Sequence, residues 1–140
     1  MSIRFQGRRY GWFVALVATI FIFSGASEVA TPDPGFQYDK LAHFLVFGLI
    51  ATALFRVWVF PENARACWIR ILWVTTIVSC LGALDEIRQY YAPARTAEIA
   101  DWLADTLGAF IASAVYAFWP FYRNLLEFRL KFCRRRRVRL

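Results

Sequence analysis

Four apolar runs, each about twenty residues long, constrain this chain more than any other feature. Between Arg9 and Glu28 there is no charge, and Tyr10 to Ser27 is apolar apart from small residues such as Thr19, Ser24 and Gly25. A second run, Leu41 to Phe60, carries only His43 and Arg56 as strongly polar residues and stops at Pro61. A third extends from about Ala66 to Leu84 with Arg70 near its start, and a fourth from about Trp102 to Tyr122 with Asp105 one turn in. About 20 apolar residues in a helix cross a ~30 Å hydrocarbon core, whereas barrel strands alternate polar and apolar residues over about ten. None of the four runs alternates, so all four read as helices. Arg56, one turn inside its run, can snorkel to the surface.

Of the 140 residues, 59% are hydrophobic, above the roughly 45–50% of a soluble domain. Four spans leave no room for a second soluble domain. The expected fold is all-α, an integral membrane four-helix bundle at 10–122 between a basic segment at 1–9 and a basic tail at 123–140. Connections fall at Thr31-Pro32-Asp33-Pro34-Gly35, Pro61-Glu62-Asn63 and Ala92-Pro93-Ala94, where breakers cluster.

Lys and Arg near span ends set the orientation. Arg4, Arg8 and Arg9 precede the first span, and Arg56, Arg65 and Arg70 flank the second connection. The tail holds eight basic residues and one acid, Glu127, and so carries the whole net charge of +7. The first connection has only Lys40, and the third only Arg88 and Arg95. Both termini are therefore expected in the cytoplasm of a multi-pass protein of the bacterial inner membrane. The first run also resembles a signal peptide, with Ser24-Gly25-Ala26 as a small-residue cleavage site, although it exceeds the usual 7–15 apolar residues.

The tail alternates Leu126, Phe128, Leu130 and Phe132 with Glu127, Arg129 and Lys131, which does not give a clear helical pattern. It reads as a surface segment whose Arg134, Arg135, Arg136 and Arg137 contact anionic lipid. No nucleic-acid recognition module accompanies these basic residues, so no nucleic-acid partner is expected. Cys67, Cys80 and Cys133 lack metal-ligand or redox spacing and read as free thiols. Trp12, Trp58, Trp68, Trp73, Trp102 and Trp119 mostly sit near span ends, as interfacial anchors do.

With this topology, the polar residues that charge bias does not explain gather at the outer ends of three helices. Asp39, Lys40 and His43 open the second; Asp85, Glu86, Arg88 and Gln89 close the third; Arg95, Thr96, Glu98, Asp101 and Asp105 lead into the fourth. Asp39 and His43, Asp85 and Gln89, and Asp101 and Asp105 are each four apart and share a helix face. Gly108, three beyond Asp105, lets another helix approach closely.

The run Asp39-Lys40-Leu41-Ala42-His43-Phe44 resembles the first motif of the VanZ-like family, and Asp85-Glu86, Gln89, Arg95-Thr96, Asp101, Asp105 and Gly108 resemble its second block in order and interval. The resemblance covers roughly residues 39–116. It implies an envelope membrane protein, related to a founding member associated with resistance to teicoplanin-type glycopeptide antibiotics. The family commonly has Asn where this chain has Asp105, which puts an ionisable group in place of a neutral amide.

Two chemistries compete at this cluster. His43 is the single histidine, and beside Asp39 it would be oriented as a general base; as an interhelical hydrogen bond it would only hold the bundle together. Adjacent Asp85 and Glu86 point about 100° apart, so Glu86 with Asp101 or Asp105 is the better acid pair. Asp105 can alternatively stay protonated or pair with Arg95 or Lys40. The carboxylates with His43 suit a hard divalent ion, but no HExxH or paired-histidine spacing supports zinc, and neither metal nor cofactor is expected. The leading expectation is a non-enzymatic protein whose cluster binds or positions an envelope component or partner protein. An enzyme acting on a lipid-linked substrate, with His43 as base and Glu86 or Asp105 as acid, and a purely structural subunit are the alternatives.

Overall fold

The computed structural model describes residues 3–23, 38–58, 60–61, 63–91 and 97–135, and among these the only regular structure is helical. Five helices follow in order: α1 (Ile3–Phe23), α2 (Tyr38–Phe55), α3 (Ala64–Tyr90), α4 (Ile99–Phe118) and α5 (Pro120–Arg135). Helix α4 is central and packs most extensively on α2 and then on α3. Phe47, Ile50, Ala51, Leu54 and Phe55 from α2, Ile71, Val74 and Val78 from α3, and Ala109, Tyr116 and Ala117 from α4 form the buried core.

The α2–α4 approach depends on glycine. A methyl group on Gly108 would overlap the backbone carbonyl of Phe44, and one on Gly48 would lie 3.2 Å from the Gly108 carbonyl oxygen. Small residues at such crossings let two helix backbones come close.

Much of the outer surface is apolar. Leu41, Leu45 and Leu49 on α2, Leu72 and Trp73 on α3, and Leu103, Leu107 and Ile111 on α4 are exposed, as are all six tryptophans. Helix α3 is long and apolar enough to cross a membrane, and only 28% of its most apolar stretch is buried, whereas a soluble core helix would be mostly covered. By length and composition, α4 with the start of α5 forms a second such segment, bent by 87°. Of the four expected spans, one or two thus meet these limits on their own among the described residues. Between Arg9 and Ile22, α1 has a shorter apolar stretch.

Boundaries differ from the sequence reading in three places. The second run leaves the helix at Phe55 rather than Phe60, with a turn at Arg56 and Val57. Helix α3 starts at Ala64, where the Asn63 side chain accepts a hydrogen bond from the Ala66 amide at 2.8 Å, and continues past Leu84 to Tyr90. The fourth run is broken: Trp119 is extended (φ −104°, ψ 95°), and Pro120 opens a new helix. Proline disfavours helical geometry in the residue before it and lacks the amide that a continuing helix would need. The first turns of the tail, whose alternation shows no clear helical pattern, are helical, through Arg135.

Candidate functional site

The start of α2, the end of α3 and the start of α4 meet at one end of the helices, and several of the polar residues singled out in the sequence come together there. The extra turn of α3 beyond its apolar run carries Asp85, Glu86 and Gln89 inward, all buried. Asp101 and Asp105, one turn apart on α4, are also buried. His43 Nδ1 lies 2.9 Å from Asp105 Oδ1, a carboxylate with no exposed surface. On its other side, His43 Nε2 is 3.9 Å from Asp39, which faces outward. The imidazole therefore stands between a buried carboxylate and a surface one. Gly82 makes room for Asp105, whose Oδ2 is 2.6 Å from the position a Gly82 methyl would take.

Lys40 does not reach Asp105. It pairs with Glu98 at 2.7 Å and with Asp101 at 3.4 Å, because it sits almost one turn nearer the rim than His43. Glu86 accepts the Glu98 backbone amide at 2.9 Å, which ties the end of α3 to the start of α4. Gln89 donates to Asp85 at 3.1 Å, and Arg88 lies 3.9 Å from Asp85. Arg95 and Thr96 lie outside the described residues.

Sequence reasoning missed two polar features. Trp102 Nε1 donates to the Ser79 carbonyl at 3.1 Å, and the Ser79 and Thr106 hydroxyls are 2.8 Å apart, so a polar ladder joins α3 to α4 below the cluster. At the opposite end, Glu127 of α5 accepts from Arg9 at 2.9 Å, Arg56 at 3.2 Å and Tyr116 at 3.1 Å. Arg56 is thus held by a carboxylate rather than only reaching for the membrane surface. The lone acid in a basic tail was the available signal for this second centre.

A family model described as VanZ/LLP1 matches residues 5–120. No curated protein matches the chain, and no solved structure does.

Proposed function

Because the chain belongs to the VanZ/LLP1 family, we propose that it is a multi-pass membrane protein of the bacterial envelope whose polar cluster binds or positions an envelope component at the outer face. The observation that carries this reading is the burial of Asp85, Glu86, Asp101 and Asp105 at one end of a bundle whose lateral surface is apolar. Ionisable groups at membrane depth are expensive, and a protein that merely needed interhelical contacts could use one or two neutral side chains. Helices α1, α2 and α4 complete the spans with α3, their apolar faces covering one another and meeting lipid outside.

The Arg9–Glu127 pair supports putting the N-terminal segment and the tail on one side, and the excess of Lys and Arg there makes that side the cytoplasm. A reporter active only in the cytoplasm should give signal when fused after Arg9, Ala64 and Leu140 and stay silent after Asp33 and Ala94. Signal at Ala94 would overturn the outer-face assignment. The tail arginines Arg134 to Arg137 then meet anionic lipid of the inner leaflet, at about 1 kcal/mol per basic residue near the surface.

The family extension is a role in susceptibility to teicoplanin-type antibiotics. Expressing the chain in a glycopeptide-sensitive bacterium should raise the inhibitory concentration of teicoplanin. A Lys40→Ala, Glu86→Gln double variant at equal membrane abundance should not. Full protection by that variant would remove the cluster from the function.

One observation favours an enzyme as the second reading: a buried carboxylate orients His43 at 2.9 Å. In that reading Asp105 positions the base instead of acting as the acid, and Glu86 is left as proton donor. With a lipid-linked envelope substrate, His43→Gln would then lower turnover by ~10²–10⁴-fold without lowering stability. A binding protein has no turnover to lose, and its stability should hold in this variant because the amide can still bond to Asp105.

A further inference from the structure

We propose that His43, Glu86 and Asp105 form a binding site for one divalent metal ion of the zinc or manganese kind. Each of these residues, on α2, α3 and α4 respectively, brings one ligand atom within 4.8 Å of the other two. Atoms sharing an ion at ~2.0–2.2 Å stand at most about 4.4 Å apart. In a tetrahedral set the separation is nearer about 3.5 Å, so side-chain rotations that bring the atoms up to about an ångström closer close the set.

Two further observations point to a ligand. Glu86 Oε1 and Asp105 Oδ2 are buried with no hydrogen-bond partner among the described residues, although buried carboxylate oxygens are ordinarily satisfied. Nor does a described lysine or arginine pair with either carboxylate, since Lys40 is engaged by Glu98 and Asp101. A cation among these three side chains would supply the missing charge and a partner for a buried carboxylate oxygen.

The donor set selects the ion. One imidazole nitrogen with two carboxylates suits zinc or manganese better than magnesium or calcium, which favour oxygen alone. A second triad, Asp39, His43 and Asp101, shares the histidine but includes an exposed carboxylate, and Asp101 is already paired with Lys40. The buried triad is therefore the stronger site. This proposal deepens the reading of the cluster as a ligand site by naming its ligand class.

The full chain, purified in detergent through a tag without histidine and stripped with chelator, would be titrated calorimetrically with Zn²⁺, Mn²⁺ and Mg²⁺. One Zn²⁺ or Mn²⁺ per chain should bind, with Mg²⁺ at least about tenfold weaker, and the bound ion should raise the unfolding midpoint. Glu86→Gln, isosteric and chosen to preserve folding, should weaken that affinity by about 10–100-fold and abolish the thermal shift, whereas Asp39→Asn should leave both unchanged. Absence of binding by the wild-type chain would overturn the proposal. So would loss in Asp39→Asn with Glu86→Gln unaffected, which would move the ion to the outer triad. A wild-type chain that binds no ion yet protects against teicoplanin through the cluster would sink the metal alone and leave the ligand-site reading standing.

Discussion

Gly108→Ala is expected to lower stability by ~1–3 kcal/mol or more, the largest effect of an added methyl at any of the described glycines. The new Cβ would overlap the Phe44 carbonyl, which belongs to the backbone of α2 and cannot rotate aside as a side chain would. The two helices must therefore separate along the bundle's most extensive interface. That separation also reaches the site. His43 and Asp105 lie on these two helices at 2.9 Å, near the ordinary hydrogen-bond optimum, so a displacement of about half an ångström weakens the contact sharply. Gly48→Ala should cost less, because its nearest neighbours stand at 3.2 Å and 3.3 Å. Thermal unfolding of both variants in detergent gives the comparison. Equal midpoints for Gly108→Ala and the wild-type chain would mean that the interface yields more readily than its geometry implies.

The helices and their polar ends were legible because each signal is local. Long apolar runs with few charges, separated by breakers such as Pro61 and Pro93, mark helices, and spacing of four places Asp39 with His43 or Asp101 with Asp105 on one face without knowledge of the fold. Partners across helices were less accessible. Which carboxylate takes Lys40 and which takes His43 depends on how far α2 slides along α4, and two glycines and the Phe44 backbone set that offset. Pro120 was a visible breaker inside an apolar run, but continuous hydropathy across Trp119, Pro120 and Phe121 concealed the bend. The same break hid the role of the tail. On a helix that turns away from α4 by 87°, Glu127 can face back toward Arg9, Arg56 and Tyr116, a grouping drawn from residues as far as 118 positions apart.

Glu127→Ala is the second substitution with a large expected effect, at ~1–3 kcal/mol, although Glu127 lies far from the candidate site in the structure. Its carboxylate accepts from Arg9 on α1, from Arg56 just beyond α2 and from Tyr116 on α4, so one side chain ties α5 to three other parts of the chain. Partial solvent exposure, with side-chain accessibilities of 16–25% at Arg9, Arg56 and Glu127, keeps the cost below that of a wholly buried network. Arg9 also donates to the Arg56 carbonyl at 2.7 Å, so the two guanidinium groups are held near one another and repel once the acid is gone. Helix α5 should then detach before the bundle melts. Limited proteolysis should show this as faster cleavage beyond Arg123 at unchanged protection of α2 and α4. Glu127→Gln keeps an acceptor for Tyr116 but not the charge, and should fall between the wild-type chain and the alanine variant. High salt should narrow the gap between glutamate and glutamine, because screening weakens ion pairs that reach solvent. An unchanged cleavage rate in Glu127→Ala would show that the apolar contacts of Leu126 and Tyr122 hold α5 without the ion pairs.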